Sequence, residues 1–163
     1  MAVGRRWMLP GLGGGLVIAL ADQATKWWIV GSLMQPPRVV ELTPFLNIVL
    51  VHNRGVTFGL LDSQSAWAPW LLAGLAIAIV AALVVWLARA ADGFQAVALT
   101  ALIGGAAGNV VDRVRLGAVV DFVDLHLAGW HWPAFNLADS AIVAGVALLL
   151  YDALFRGRQS GTS

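Results

Sequence analysis

Cysteine is absent from the 163-residue sequence, which excludes a disulfide framework, a thiol nucleophile and a cysteine metal site. Charge is also scarce, because only 12% of the residues are Asp, Glu, Lys or Arg, and the net charge of +1 does not indicate a nucleic-acid partner. The 3 histidines show neither H-x-x-x-H nor H-E-x-x-H spacing, so the sequence predicts no metal and no cofactor. Any catalysis must therefore come from hydroxyls, carboxylates, histidines or lysines.

Apolar residues dominate the rest of the chain. They make up 60% of it, and the mean hydropathy is +0.80, well above the usual value for a soluble domain of this length. A helix needs about 20 residues to cross the hydrocarbon core of a membrane. Four segments reach that length, namely 9–31, 68–88, 94–112 and 135–155. We expect four transmembrane helices in one integral membrane domain spanning 1–163.

The first of these segments imitates a cleavable secretory signal, because Arg5 and Arg6 precede an apolar stretch with a small-x-small site at 19–21. The apolar character continues past that site to Trp27 and Trp28, so we expect a retained helix. Four spans place both termini on one side of the membrane. The distribution of arginines favours the cytoplasmic side.

Two segments outside the predicted spans have the character of strands. Residues 38–62 contain a short β-branched run bounded by Pro44 and by Asn53-Arg54-Gly55, and residues 114–134 are β-rich around 119–123. Because such backbone cannot face lipid with its hydrogen bonds unmet, we expect the two segments to pair at the outer surface. The tail at 156–163 is expected to be a short disordered end.

Unusual polar residues cluster near one predicted level, at the outer ends of the spans and in the outer segments. Taken singly, each has a structural explanation: Asp22 and Lys26 form an i, i+4 ion pair, Arg113 extends to the headgroups, and Asp139 sits in the first turn of a helix. Together they indicate a functional site. The set comprises Asp22, Lys26, Asn53, Arg54, Asn109, Asp112, Arg113, Asp121, Asp124, Asn136 and Asp139.

Two chemistries are compatible with these residues. Serine hydrolysis has four candidate nucleophiles, Ser32, Ser63, Ser65 and Ser140, but no G-x-S-x-G motif and no well-placed histidine. An aspartate pair needs less, because two close carboxylates share one proton, and the ionised one takes a proton from water while the other donates.

The chain resembles the lipoprotein signal peptidases, the type II signal peptidases of bacteria. The resemblance covers nearly the whole sequence and rests on five blocks in the family's order: DQATK (22–26), NRGVTFG (53–59), GGAAGNVVDR (104–113), VVDFVD (119–124) and FNLADS (135–140). The chain departs from the family at Val56 and Thr57, where the family commonly has small residues.

The resemblance implies four transmembrane helices with cytoplasmic termini and an outer β-cradle, in the bacterial inner membrane. It implies cleavage of prolipoproteins just before a diacylglyceryl-modified cysteine, near the outer face, by the catalytic aspartates Asp121 and Asp139. It also implies contact with membrane lipids, a monomer, and inhibition by cyclic peptides of the globomycin type. Supporting roles carry over to Asp22, Lys26, Asn53, Gly55, Asn109, Asp112, Arg113 and Asn136.

Two other functions compete with this one. A channel or small transporter could use the same polar residues to line an ion path, but it predicts polar residues through the whole membrane depth, and spans two and four have none in their middles. A lipid-headgroup transferase normally needs a metal and aspartates clustered on one helix, which the sequence lacks. The sequence therefore favours the peptidase.

Overall fold

The computed structural model describes residues 5–55 and 67–156. Several sequence-based expectations fall outside these ranges: residues 56–62 of the first outer segment, including Val56 and Thr57, the candidate nucleophiles Ser63 and Ser65, and the end of the tail at 157–163.

Four α-helices form the body of the part that the structure describes. They are α1 (Arg5–Trp28), α2 (Ala68–Leu87), α3 (Gly93–Leu116) and α4 (Leu137–Tyr151), and single π-helical turns extend α1 over Ile29–Leu33 and α4 over Asp152–Arg156. The central helix is α3, which packs against each of the other three. In an apolar stretch of 18 residues in α3 half of the residues are buried, against 11% in the corresponding stretches of α2 and α4.

Small residues allow α3 to approach its neighbours closely. A Cβ atom at Gly104 would lie 2.7 Å from the carbonyl oxygen of Gly15 in α1, and one at Gly105 would collide with the carbonyl oxygen of Ala138 in α4. Glycine is therefore required at the points where α3 meets the backbones of two other helices.

Among the described residues, three helical segments are long and apolar enough to cross a membrane: Trp70–Leu87, Gly93–Leu116 and Leu137–Arg156. The helix α1 has the same length as α3 but contains Asp22, Gln23 and Lys26. A fourth crossing thus remains a prediction.

The helix α3 is longer than the sequence analysis predicted. It continues through Arg113 and Arg115 to Leu116, so residues 114–116 are helical and not part of an outer β segment. The helix ends at Gly117, whose φ of 69° is the left-handed conformation that glycine adopts readily at a helix C-terminus. The charged side chains mark the end of the apolar run, whereas Gly117 marks the end of the helix.

A four-stranded antiparallel sheet lies beyond the ends of the helices where α1 and α3 finish and α4 begins. Its strands β1 (Val40–Thr43), β2 (Leu46–Asn53), β3 (Val119–Leu127) and β4 (Trp130–His131) are arranged in the order β1-β2-β3-β4. The pairing of β2 with β3 confirms that the two outer segments associate, with Asn47 opposite Asp124 and Val51 opposite Asp121. The hairpin partner β1 was not predicted.

Two apolar cores hold these layers together. One, at the end of the helices that carries the α2–α3 loop, includes Leu87, Leu99 and Leu102. The other joins the π-helical turn after α1 to the sheet through Ile29, Met34 and Phe122. The second core fixes β3 over the helix ends, where the polar residues gather.

Candidate active site

Two carboxylates from different elements are joined by one asparagine. The side-chain amide of Asn136 donates from Nδ2 to Oδ1 of Asp121 at 2.7 Å, and the backbone N–H of Asn136 donates to Oδ2 of Asp139 at 3.2 Å. Asp121 lies on β3, and Asp139 lies in the first turn of α4. Asn136 thus couples the position of a strand residue to that of a helix residue.

The orientation of Asp139 follows from the way α4 begins. Asn136 is the N-cap residue, and its side chain accepts from the backbone N–H of Asp139 at 2.9 Å while Asp139 bonds back to Asn136, which forms a capping box. The other oxygen of Asp139 accepts a 2.7 Å hydrogen bond from Nδ2 of Asn109 on α3. Asp139 is therefore both a first-turn carboxylate and a member of the polar cluster.

Asp121 is held from the opposite side by the end of β2. Nδ2 of Asn53 donates to its Oδ2 at 3.0 Å, and the backbone N–H of Gly55 donates to the side-chain oxygen of Asn53 at 2.8 Å. Gly55 has a φ of 79°, which favours glycine, and a Cβ atom there would collide with Leu72 of α2. Gly55 thus holds the side chain of Asn53 in place, and Asn53 in turn positions Asp121.

The environment of Asp121 changes its acidity. The side chain is only 1% exposed, and this burial is the main cause that raises the pKa of Asp121 to about 6. The carboxylate of Asp139 raises the pKa further, while the amides of Asn53 and Asn136 oppose the rise. Close to neutral pH, Asp121 can therefore either hold or release a proton.

Behind these two carboxylates, a buried lysine connects α1 with α3. Nζ of Lys26 lies 2.7 Å from Oδ2 of Asp22, 2.8 Å from Oδ2 of Asp112 and 3.1 Å from Oδ1 of Asn109. The i, i+4 ion pair predicted from the sequence is present, but it is one part of a larger network. Asn109 also accepts from Nδ2 of Asn136 at 3.2 Å, which links the network to the carboxylate pair.

Asp139 borders two largely apolar cavities. One, of about 330 Å³, lies between α2, α3 and α4 and is also lined by Asn109 and Arg113. The other, of about 600 Å³, extends from Asp139 along Trp132, Phe135 and Val143. Apolar groups of a ligand could therefore occupy either of two cavities that border the Asp139 carboxylate.

Two members of the predicted polar cluster stand apart from this network. Asp124 accepts from Nδ2 of Asn47 at 3.0 Å and lies 2.8 Å from Nδ1 of His131. Arg54 is exposed at the end of β2. Within residues 5–55 and 67–156, no three His, Asp or Glu side chains are grouped to hold a metal. The hydroxyl of Ser140 donates to the carbonyl oxygen of Asn136 at 3.0 Å, as expected of a residue at the start of a helix.

Sequence reasoning missed two polar residues, Gln23 and Asn47, and interpreted His131 only as a surface or sheet residue. Gln23 donates to Oδ1 of Asp112 at 2.8 Å and to the carbonyl oxygen of Gly108 at 3.1 Å. A glutamine beside Asp22 in a predicted span was a visible signal. The partners of Asn47 and His131 depend on strand pairing, which no motif marks.

The fold is similar to that of bacterial membrane enzymes of known structure. An enzyme of that description solved by the in meso method at 2.3 Å resolution is 32% identical, with a TM-score of 0.78 over 94% of this chain and 92% of that one. A second, solved at 1.9 Å resolution, is 34% identical, with a TM-score of 0.77 over 90% and 93%.

Sequence comparisons identify the family of membrane enzymes to which the chain is similar. The family described as signal peptidase (SPase) II matches residues 15–155. The lipoprotein signal peptidase of Burkholderia thailandensis is 43% identical over 154 residues, which cover 93% of this chain and 91% of that protein. The lipoprotein signal peptidase of Burkholderia vietnamiensis is 45% identical over 154 residues, which again cover 93% of this chain and 91% of that protein. The chain belongs to the signal peptidase II family, which confirms the resemblance inferred from its motifs.

Proposed function

We propose that this peptidase removes the signal peptide from prolipoproteins as an aspartic endopeptidase, with Asp121 and Asp139 as its catalytic pair. The observation that carries the proposal is the double hydrogen bond of Asn136 to the two carboxylates. It is supported by the position of Asp139 in the lining of two largely apolar cavities.

The proposed reaction requires one proton on the pair. The ionised carboxylate removes a proton from water, and the water oxygen forms a bond to the scissile carbonyl carbon. The protonated carboxylate donates its proton to the carbonyl oxygen. The carboxylate that took the proton from water then donates it to the leaving nitrogen as the C–N bond breaks, and a hydroxyl proton of the intermediate returns to the other carboxylate as the new carboxyl group forms. The raised pKa of Asp121 favours this singly protonated state near neutral pH. Arg113, which lines a cavity with Asp139, supplies positive charge near the developing oxyanion.

In this proposal α1 is a fourth crossing helix, because its ionic side chains are paired inward: Asp22 is 0% exposed and Lys26 is 3% exposed. Both termini then lie on the cytoplasmic side of the inner membrane, and the sheet and the carboxylates lie near the outer face. Trp130 and Trp132, both exposed, lie at headgroup level. The whole chain acts as one domain and as a monomer.

The substrate is cut just before a cysteine that carries diacylglycerol. Its acyl chains and its signal helix occupy the apolar cavities beside Asp139, so that the scissile bond reaches the carboxylates at the membrane edge. A cyclic peptide of the globomycin type competes for the same place. Asp22, Lys26, Asn53, Gly55, Asn109, Asp112, Arg113 and Asn136 support the pair.

A channel remains the competing function. An ion path needs polar groups along the membrane depth, whereas the described buried polar side chains gather at one end of the helices and bond to one another. This arrangement favours a reaction site over a path.

Incubation of the purified protein in detergent with a diacylglyceryl-modified prolipoprotein tests the proposal. We expect a shortened product from wild type, almost none from Asp121→Asn or Asp139→Asn with circular dichroism unchanged, and normal cleavage by the control Asp152→Asn at the far end of α4. A strong chelator should leave the rate unchanged, and an unmodified cysteine should slow it greatly. Near wild-type cleavage by either variant of the pair would rule out these roles.

A further inference from the structure

The residues immediately before the two proposed catalytic aspartates are held in the same way. The backbone N–H of Val120 donates to Oδ2 of Asp112 at 3.0 Å, and the backbone N–H of Ala138 donates to Oδ1 of Asp22 at 3.0 Å. Each catalytic residue thus follows a peptide group that is anchored to a buried carboxylate.

Those two anchoring carboxylates are linked by two side chains of α1. Lys26 bridges Asp22 and Asp112, and Nε2 of Gln23 donates to Oδ1 of Asp112 at 2.8 Å and lies 3.3 Å from Oδ2 of Asp22. We call Asp22, Gln23, Lys26 and Asp112 the carboxylate ring. It joins α1 to α3, and its two carboxylates reach β3 and α4.

Charge explains why the ring needs an amide as well as an ammonium group. Asp22, Lys26 and Asp112 are 0%, 3% and 3% exposed, so one ammonium faces two buried carboxylates. Burial of a carboxylate without hydrogen-bond donors costs free energy. One lysine cannot supply all the hydrogen bonds that two carboxylates accept, so further N–H groups must supply the rest. Gln23 provides such donors without adding charge.

We propose that Gln23 is a positioning residue of the peptidase, which holds Asp22 and Asp112 at a fixed separation and so sets the distance between Asp121 and Asp139. The inference rests on the proposed catalytic pair. Misplacement of a reacting group by about 1 Å costs on the order of 100-fold in rate, so a small change in the ring has a large effect on turnover.

Gln23 acts on the chemistry and not on substrate binding. The cavity that it lines, of about 280 Å³, is bordered by Lys26, Asp112 and Arg115, and neither Asp121 nor Asp139 belongs to its lining. The two cavities beside Asp139 do not include Gln23. A change at Gln23 is therefore expected in kcat, with KM unaffected.

Two substitutions test this role with lipidated prolipoprotein. Gln23→Leu removes the donors, and we expect kcat to fall by about tenfold or more with KM unchanged, since even a small misplacement of the carboxylate pair slows the reaction. In Gln23→Glu, the ionised side chain adds a third carboxylate beside Asp22 and Asp112 at high pH. At low pH the protonated side chain can again donate a hydrogen bond to Asp112. The kcat of this variant relative to wild type should therefore rise as the pH falls from 8 to 5. A variant that merely folds poorly would not recover in this way.

The matched controls are Gln35→Leu and Gln35→Glu, because Gln35 is an exposed glutamine whose side chain, within the described ranges, donates only to the carbonyl oxygen of Val30. Both should cleave like wild type at every pH. Wild-type kcat in Gln23→Leu, or a Gln23→Glu to wild-type ratio that does not change with pH, overturns the positioning role while leaving the proposed function intact. Failure of the wild type itself to cleave overturns both.

Discussion

Asn109 donates a 2.7 Å hydrogen bond from Nδ2 to Oδ1 of Asp139, across the interface between α3 and α4. Its side-chain oxygen accepts from Lys26 at 3.1 Å and from Asn136 at 3.2 Å, so the orientation of the amide is determined from both ends. Asn109 is thus the point at which the carboxylate ring meets the proposed catalytic pair.

Replacement of Asn109 by Leu should lower kcat by roughly 10- to 100-fold, because Asp139 loses a donor that positions it, and misplacement of a reacting group by about 1 Å costs on the order of 100-fold in rate. Cleavage of lipidated prolipoprotein measures the effect. Thr100→Val is the matched control, since the Thr100 hydroxyl donates to the carbonyl oxygen of Ala96 within the same helix. Equal rates for the two variants would contradict the role of Asn109.

Asp121→Asn should change the pH dependence of stability. The pKa of Asp121 is raised from 3.8 to about 6, so its ionisation destabilises the folded state, and stability is lost as the pH rises through that window. At about 1.4 kcal/mol per pKa unit, the loss is on the order of 3 kcal/mol. Relative to wild type, the thermal midpoint of the variant should therefore be higher at pH 8 than at pH 4. If the thermal midpoints of variant and wild type differ by the same amount at pH 4 and pH 8, the pKa of Asp121 is not raised by its surroundings.

Asp124→Asn should keep most of the activity. The hydrogen bond from His131 is the main cause that lowers the pKa of Asp124 below its ordinary 3.8, so the stabilisation is present above that value and lost as the pH falls further. The His131 side chain is 53% exposed, and pairs of this kind contribute about 0.2–1 kcal/mol. We expect kcat/KM to fall by about fivefold at most, and a loss comparable to that of Asp121→Asn would place Asp124 in the catalytic pair.

Gly108→Ala should disable the carboxylate ring. A Cβ atom at this position would lie 2.6 Å from Oδ2 of Asp22, which is fully buried, so the ion pair with Lys26 must shift. Overpacking of this kind costs about 1–3 kcal/mol, and cleavage should fall with the thermal midpoint. Gly74→Ala in α2 is the control, since nothing lies within 4 Å of its Cβ position and alanine favours the helix. If both variants behave alike, the close approach at Gly108 has no functional consequence.

The apolar helices could be predicted because the length and the hydropathy of a segment together decide whether it is a candidate to cross a membrane. Their ends could not, because they depend on single residues. The helix α4 begins after the N-cap Asn136, and α3 ends at Gly117. Asparagine and glycine are visible in a sequence, but they also occur in loops and do not by themselves mark a helix end. Hydropathy instead predicted both the start of α4 and the end of α3 too early in the sequence.

The polar site was predicted as a set, but its connections were not. The sequence indicated that Asp22 and Lys26 share a helix face, and the structure adds the contact of Lys26 with Asp112 on α3. Such contacts depend on which helices pack together and at what height. The pairing of Asp124 with His131 likewise follows from the tight turn between β3 and β4, where Ala128 adopts a φ of 51°.

The ion pair within α1 lets this helix form before its neighbours dock. Because Asp22 and Lys26 are one turn apart and 2.7 Å from each other, α1 carries its own counter-ion. Asp112 comes with α3, and the peptide group of Ala138 comes with α4. Under the proposed mechanism, hydrolysis therefore requires that α4, which also carries Asp139, has docked against the other described helices.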